Sequence, residues 1–88
     1  MTYQPRWTGP AQRDMARLPA RSAGAVLVFV DERLCRDPYR RSKPLSGDLE
    51  GFRGARNGDY RMIVTIDDQA ALVWIHRVNH RAHIYRSH

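Results

Sequence analysis

Hydrophobic and polar residues alternate in three stretches of the second half of the chain, as they do in strands with one covered face. These stretches are residues 52–56, 60–66 and 72–79. Asn57 and Gly58 separate the first two, and Asn-Gly between extended segments is a strong signal for a tight hairpin, here of type I′. A polar connection at residues 67–70 separates the second from the third. We therefore predict three consecutive antiparallel strands.

The beginning of the chain predicts a short strand followed by a helix. Residues 3–7 alternate aromatic and polar side chains around a central proline, which suits an edge strand. Thr8 or Gly9 can cap the helix that follows, with Pro10 in its first turn. This helix is predicted to end at Leu18, because a proline comes next.

A second apolar stripe with helical spacing predicts a second helix. Its members are Ala23, Val26, Leu27, Val30 and Leu34. The helix is expected to end near Cys35 or Arg36, because Asp37 precedes a proline and is disfavoured in a helix. Residues 39–51 are rich in turn-forming residues and are predicted to form a loop. The resulting order is β-α-α-β-β-β, an α+β fold with an antiparallel sheet and a two-helix hairpin packed on one face.

The length of 88 residues predicts a single domain, residues 1–88. Its longest apolar run, residues 25–30, is far too short to cross a bilayer. The first residues lack a charged start followed by an apolar stretch, so no secretory signal is visible and a cytoplasmic protein is expected. The one cysteine, Cys35, cannot form an internal disulfide and is expected to fill the core.

The charge composition points to an anionic partner. There are 15 Lys and Arg residues against 9 Asp and Glu, a formal charge of +6, and Lys43 is the sole lysine. Arginine is suited to planar, bidentate recognition of phosphate and carboxylate groups. The composition therefore predicts binding to nucleic acid or to an acidic protein. The alternative is that a GC-rich genome explains the abundance of arginine.

Strand alternation predicts which side chains face the helices. The covered face receives Tyr60, Met62, Val64 and Ile66, and the opposite face, called the open face below, carries Arg61, Ile63 and Thr65. The predicted type I′ turn pairs Arg56 with Asp59 and places Gly54 opposite Arg61. Arg56 and Arg61 are then expected to share the open face.

Closing the next hairpin at residues 68–70 places Arg61 opposite Arg77, with Arg81 further along the same face. A register shift of one residue would turn Arg77 and Arg81 toward the helices, which is unfavourable because unpaired guanidinium groups would be buried. Four arginines are therefore expected to converge on the open face and to favour a bound anion, since like charges side by side are destabilising. The alternative is a set of weak surface ion pairs, Arg56 with Asp59 and Arg77 with Asp67 or Asp68.

Two segments carry a more specific signal. Residues 43–64 read KPLSGDLEGFRGARNGDYRMIV, and residues 78–86 read VNHRAHIYR. Together with the predicted helical hairpin, these segments resemble the RelE/ParE toxin superfamily, in particular its RelE branch, over nearly the whole chain. The resemblance implies a RelE-like microbial RNase fold and a toxin of a type II toxin–antitoxin system. RelE-like members cleave messenger RNA on the ribosome, whereas ParE-like members poison DNA gyrase.

The resemblance also implies roles for individual residues. Arg61, Arg81 and Tyr85 match the functional residues of the family. The best-studied members have two lysines on the strand before the hairpin. In that region this chain has Phe52, Arg53 and Gly54. Arg53 or Arg56 is therefore expected to replace a lysine as a phosphate clamp, although arginine transfers protons poorly because its pKa exceeds 12.

Cleavage of RNA without a metal needs a base for the 2′-hydroxyl, cations around the phosphate, and an acid for the leaving 5′-oxygen. The candidate catalytic residues are Arg61, Arg81, Tyr85 and His83, the last two as proton carriers. The candidate phosphate-binding residues are Arg53, Arg56, Arg77 and Lys43. The alternatives are that Tyr85 packs against the fold and that His83 is an ordinary surface residue.

The remaining histidines and Trp74 are expected to be structural. His76 and His80 are predicted on the helix-covered face or its rim, and their spacing with His83 does not suit a zinc site. Trp74 is expected in the core, with stacking on a base as the alternative if it lies on the open face.

The leading hypothesis is a toxin that acts as a ribosome-dependent messenger-RNA endonuclease and requires no cofactor. Its expected partners are the ribosome with its messenger RNA and an acidic antitoxin that wraps the helices, and the toxin–antitoxin complex is expected to bind operator DNA. One alternative is a ParE-like inhibitor of DNA gyrase without nuclease activity. Another is a degenerate toxin that persists only as a partner of its antitoxin or in autoregulation.

Overall fold

The computed structural model describes residues 2–80, in which two helices pack on one face of a five-stranded sheet. In chain order the elements are β1 (Gln4–Trp7), α1 (Gly9–Ala16), α2 (Ala20–Phe29), β2 (Ser42–Pro44), β3 (Arg53–Asn57), β4 (Tyr60–Asp67) and β5 (Leu72–His80). A π-helical turn, Val30–Leu34, extends α2, and Gly47–Leu49 forms a 3-10 turn. The predicted α+β class and helical pair are confirmed.

The sheet has the order β1-β5-β4-β3-β2. Strands β3, β4 and β5 form the predicted antiparallel meander, and β1 lies parallel to β5 at one edge. The other edge is β2, which pairs antiparallel with β3 inside the segment that was predicted to be a loop. The short β2 was missed because it ends in Pro44, and proline is tolerated in a sheet mainly at edges.

Helix α1 begins as predicted and ends two residues early. The Thr8 side chain caps it by accepting a hydrogen bond from the Ala11 N–H at 3.3 Å, and Pro10 lies in the first turn. The helix ends at Ala16 rather than Leu18, because the next two N–H groups bond to carbonyls three residues back, at 3.1 and 3.2 Å. Such bonds tighten the last turn of a helix.

The buried face of α2 differs from the prediction on one side. Val26, Val30 and Leu34 are fully buried as expected. Leu27, which was predicted to be buried, is 45% exposed, and Phe29 is buried instead. The four-residue spacing of Val26, Val30 and Leu34 determines the centre of the buried stripe, but it does not determine which neighbouring side of the helix is also buried. The larger Phe29 side chain fills the core in this fold.

The core lies between the helices and one face of the sheet. It contains Met62 and Val64 of β4 together with Val73, Ile75 and Val78 of β5, and Tyr60 packs against it half-buried. These positions confirm the predicted covered face of β4. Within residues 2–80, no helix has the length and apolar character needed to cross a membrane.

The β3–β4 hairpin has a different register from the one predicted. Arg56 pairs with Arg61, and Gly54 pairs with Ile63, so the predicted pairings of Arg56 with Asp59 and Gly54 with Arg61 are wrong. The turn is centred on Gly58 and Asp59. Only Gly58 has a positive φ there, 60°, which matches a type II′ turn and not the expected type I′.

The β4–β5 hairpin also differs, in two ways that compensate for each other. Its loop is one residue longer than predicted, since Asp67 pairs with Leu72, and a bulge at Ile63/Val64 inserts one more residue into β5. Arg61 therefore lies opposite Asn79 and not Arg77. Because two shifts of one residue restore the alternation, Arg77 keeps its predicted face, although it lies opposite Ile63.

Candidate functional site

The open face carries two rows of side chains that run across the strands. One row is Lys43, Gly54, Ile63 and Arg77, and the next is Arg56, Arg61 and Asn79. The rows come from β2, β3, β4 and β5, so the meander and its added edge strand together position them. The prediction that Arg56 and Arg61 share this face is confirmed.

A cavity of about 610 Å³ lies where β2, β3 and β4 meet. Its charged lining consists of Arg40, Arg41, Lys43, Arg56 and Arg61, and we call it the basic cavity. Among the described residues that line it, none is Asp or Glu. The apolar lining includes Leu45, Leu49 and Ile63, and it extends to Phe29, Ala55 and Met62 of the core. A cavity lined by both cationic and apolar side chains suits a ligand that has anionic groups and apolar surface.

Two local features shape the basic cavity. Gly54 has no side chain to fill the space between Lys43 and Ile63, and a Cβ atom placed there would lie 3.1 Å from Leu45 Cδ2. Arg56 and Arg61 stand directly across from each other, an arrangement that is destabilising for like charges. A bound anion would relieve this repulsion.

Arg53 lies on the other face of the sheet, opposite Val64. Its Nε donates to Ser42 Oγ at 2.8 Å, and its Nη2 donates to the carbonyl oxygens of Tyr39 and Ser42 at 3.3 and 3.0 Å. The guanidinium carbon is 5.0 Å from the centre of the Tyr39 ring. Arg53 thus anchors the segment that leads into β2. Of the two predicted phosphate clamps, Arg56 lines the basic cavity and Arg53 does not.

Arg77 is tied to α1. Its Nε donates to Asp14 Oδ2 at 2.8 Å and its Nη2 to Asp14 Oδ1 at 3.2 Å, while Asp14 is nearly buried and also accepts the Val78 N–H at 2.9 Å. These hydrogen bonds raise the pKa of Arg77. The predicted alternative was an ion pair of Arg77 with Asp67 or Asp68. It is wrong, because the partner is Asp14. The carboxylate of Asp14 therefore neutralises the positive charge that Arg77 would otherwise add to the open face.

Aromatic side chains extend the open face beyond the basic cavity. His76 Nε2 lies 2.9 Å from Thr65 Oγ1, and the imidazole meets the Phe52 ring edge-to-face at 5.2 Å. Trp74 pairs with Thr65 and is half-buried. The predictions of a core Trp74 and of a helix-side His76 are therefore wrong. The extra residue in the β4–β5 loop places Trp74 opposite Thr65 and so turns His76 to this side as well. His80 meets the Tyr60 ring at 5.6 Å, which is consistent with the predicted rim.

An acidic group with two tyrosine partners lies at the opposite end of β4. Tyr3 Oη and Tyr39 Oη donate to the two Asp68 oxygens at 2.7 and 2.6 Å. The carboxylate raises the pKa of Tyr3 to about 12 and also raises the pKa of Tyr39, and the two hydrogen bonds lower the pKa of Asp68. No sequence spacing indicates this cluster, because its members are 29 and 65 residues apart.

Three predicted site residues, Arg81, His83 and Tyr85, lie outside the described residues. The sequence pattern did not single out Arg40 and Arg41, which lie in the segment predicted to be a loop. Within residues 2–80, no three His, Cys, Asp or Glu side chains come together as a metal site would require.

Comparison with known proteins identifies close relatives over almost the whole chain. A family model described as "ParE toxin of type II toxin-antitoxin system, parDE" matches residues 6–85. Toxin RelG of Mycobacterium tuberculosis is 46% identical over 86 residues, covering 98% of this chain and 99% of that protein. Toxin RelE of the same organism is 43% identical over 84 residues, covering 96% and 87%.

Solved structures share the fold. The toxin-antitoxin complex RelBE2 from Mycobacterium tuberculosis matches with a TM-score of 0.88 and 43% identity, covering 92% of this chain and 100% of the compared chain. The archaeal RelE–RelB complex from Pyrococcus horikoshii matches with a TM-score of 0.66 and 26% identity, covering 92% and 97%. The Escherichia coli RelBE complex has a TM-score of 0.73 at 15% identity, covering 89% and 95%, and this likeness concerns the fold alone.

Proposed function

Because the chain belongs to the RelE/ParE toxin superfamily, as a toxin of the type II toxin–antitoxin class, we propose that it is a ribosome-dependent messenger-RNA endonuclease. It cleaves RNA without a metal and so inhibits translation. Both curated relatives above 40% identity are named Rel toxins, which favours this activity over inhibition of DNA gyrase.

The observation that carries this proposal is the basic cavity, to which the open-face residues Lys43, Arg56 and Arg61 contribute. Its five cations, with no acid among the described lining residues, offer the donors that phosphate oxygens accept. Cleavage by the 2′-oxygen passes through a phosphate with five substituents and added negative charge. Guanidinium groups that are fixed before the reaction stabilise such charge. We assign this role to Arg56 and Arg61, with Lys43 binding a phosphate at the edge of the sheet.

The proton transfers need other groups, because a guanidinium stays protonated throughout. We propose Tyr85 and His83 as the proton carriers and Arg81 as a further cation. These residues follow β5 directly, and β5 ends beside Arg61, since Asn79 is the partner of Arg61 in the register. Tyr85→Phe keeps the ring and removes the hydroxyl, so we expect cleavage to slow by about a hundredfold or more. An unchanged cleavage rate would show that Tyr85 only packs.

We propose two kinds of macromolecular partner. One is the ribosome carrying messenger RNA, in the cytoplasm. The other is an acidic antitoxin that wraps the helices and covers the open face, forming a complex that binds operator DNA. The net charge of +6 and the toxin–antitoxin complexes among the related structures support the antitoxin. An acidic peptide encoded next to the toxin should abolish its toxicity when both are expressed.

Mapping of RNA 5′ ends after induced expression tests the proposed function directly. We expect new 5′ ends within translated messenger RNA, and we expect these ends to disappear when translation initiation is blocked. A supercoiling assay with purified DNA gyrase is run in parallel. Inhibited supercoiling with intact RNA would instead assign the ParE-like activity. Intact RNA together with normal supercoiling would favour the degenerate toxin.

A further inference from the structure

Three ring side chains lie next to one another on the open face: Phe52, Trp74 and His76, called the aromatic strip below. Phe52 and His76 touch edge-to-face with ring centres 5.2 Å apart, and Thr65 fixes the imidazole through the 2.9 Å contact to its Nε2. Trp74 stands across from Thr65 on the neighbouring strand. The strip therefore lies around Thr65 of β4, with Phe52 just before β3 and the other two rings on β5.

The core does not account for the aromatic strip. Buried neighbours such as Val64 and Ile75 point to the helices, whereas the three rings lie on the opposite side and are only half-buried. Burial lowers the pKa of His76, so its imidazole is neutral near pH 7. The strip is therefore a flat and largely uncharged surface that is partly exposed to solvent.

The strip adjoins the basic cavity. Phe52 is two residues from Gly54, and Thr65 is two residues from Ile63, a separation of about 7 Å along a strand. At the other end, the exposed Arg6 pairs with Trp74. A ligand that fills both regions needs anionic groups and flat rings in alternation. Unpaired nucleotides have this chemistry, because every base has a ring face that stacks on aromatic side chains.

We propose that the aromatic strip is a base-binding subsite for unpaired RNA nucleotides next to the phosphate in the basic cavity. The strip holds the bases by stacking, and Trp74 is the main contact because it offers the largest ring. The proposal rests on the proposed function, since it takes RNA as the ligand of the open face. Stacking would bind any base, so this subsite adds affinity without choosing a sequence.

Fluorescence of Trp74 tests the proposal in the full-length chain. The chain has two tryptophans, so Trp7→Phe leaves Trp74 as the sole indole, and thermal melting checks that this variant folds. It is titrated with a single-stranded RNA octamer and with an octamer of equal charge whose central nucleotides lack bases. We expect the normal octamer to quench Trp74 and the abasic octamer to bind without quenching. Equal quenching by both would overturn the proposal.

Affinity for labelled RNA provides a second measurement. Stacking of one base commonly changes the affinity for single-stranded RNA by about fivefold to 150-fold. We expect Trp74→Leu to lose affinity in this range and Trp74→Phe to lose less. The matched control is Val28→Ala, at a position 61% exposed on α2, which should bind like the parent. If Trp74→Leu does not fold, Phe52→Leu replaces it with the same expectation. Parental affinity in the folded variant would exclude the subsite.

The two proposals fail separately. If normal RNA quenches Trp74 and cleavage of ribosome-bound RNA is never detected, the subsite stands and the nuclease assignment is wrong. If the parent cleaves RNA and Trp74→Leu binds and cleaves as well as the parent, the nuclease stands and the subsite is wrong.

Discussion

Arg56 and Arg61 face each other across β3 and β4, and they share a cavity whose described lining contains three further cations. Like charges directly across from each other repel, so this pairing by itself is unfavourable for the fold. A bound phosphate would offset this cost, and the same repulsion would then favour the proposed binding of RNA. We therefore expect Arg56 and Arg61 to serve in binding an anion.

Arg61→Ala should separate function from stability. Loss of one electrostatic contact to a transition state commonly slows a reaction by about a hundredfold to a thousandfold, which corresponds to about 3 to 4 kcal/mol. The free energy of unfolding should change by only about 1 kcal/mol. Cleavage of ribosome-bound RNA and thermal melting measure the two quantities. Arg21→Ala on α2 is the matched control and should cleave like the parent. Cleavage by Arg61→Ala at the parental rate would contradict the assignment.

Residues could be predicted where their role depends on strand alternation. The open-face positions of Arg56 and Arg61 follow from period two alone, whereas that of Arg77 also depends on the bulge in β5. The ion pair of Arg77 with Asp14 could not be predicted, because its partners are 63 residues apart and meet only when α1 packs against β5. Arg53 is similar, since its contacts with Ser42 depend on a strand, β2, that the sequence does not reveal.

At the scale of elements, the hairpins explain why the faces of β4 and of Arg77 were predicted although their partners were not. A hydrophobic pattern determines which side chains face the core, and a shift of two residues leaves that pattern unchanged. The extra loop residue and the bulge in β5 make such a shift between β4 and β5. The face of Arg77 was therefore right, whereas its partner was wrong. The extra loop residue, which moves Trp74 and His76 to the open face, has no signal in the pattern.

The β4–β5 loop contains a strained position that a substitution should relieve. Ala71 has φ of 55°, a left-handed conformation that costs a residue with a Cβ atom about 1 to 2 kcal/mol. Ala71→Gly should raise the free energy of unfolding by about 1 kcal/mol, which urea denaturation can measure. The control, Ala70→Gly, has no positive φ to relieve and should be slightly destabilising, because glycine increases the entropy of the unfolded chain. If Ala71→Gly lowered the free energy of unfolding, the backbone at Ala71 would not be strained.

At the scale of the whole molecule, Asp68 joins three distant parts of the chain. It lies after β4 and accepts hydrogen bonds from Tyr3 before β1 and from Tyr39 before β2. The parallel pairing of β1 with β5 brings Tyr3 into place. Sequence patterns predicted that the first strand lies at an edge, but they did not predict which loop its first residues would contact.

The Asp68 cluster predicts a pH dependence of stability. Its hydrogen bonds lower the pKa of Asp68 in the folded state, so the ionised group stabilises the fold above its unfolded pKa, near 3.8. This contribution is lost as the pH falls through the lower, folded pKa. Asp68→Asn should therefore melt at a lower temperature than the parent at pH 7, and the difference should vanish in strong acid. A difference in melting temperature that stays constant with pH would show that ionisation of Asp68 does not stabilise the fold.

The basic cavity carries five cations, and its charge should appear in the salt dependence of RNA binding. Each phosphate that a protein contacts on a single strand contributes about −0.7 to the slope of log affinity against log salt. Lys43→Gln should therefore make the slope shallower by about 0.7.

Arg21→Gln removes the same charge from the helical side and is the matched control for Lys43→Gln. Its slope should equal that of the parent, because a cation distant from the open face releases no counterion from the RNA. Binding of a labelled single-stranded octamer across a series of potassium chloride concentrations gives all three slopes. If both variants lowered the slope equally, RNA would be sensing the net charge of the molecule and not the open face. If neither did, Lys43 would not contact a phosphate.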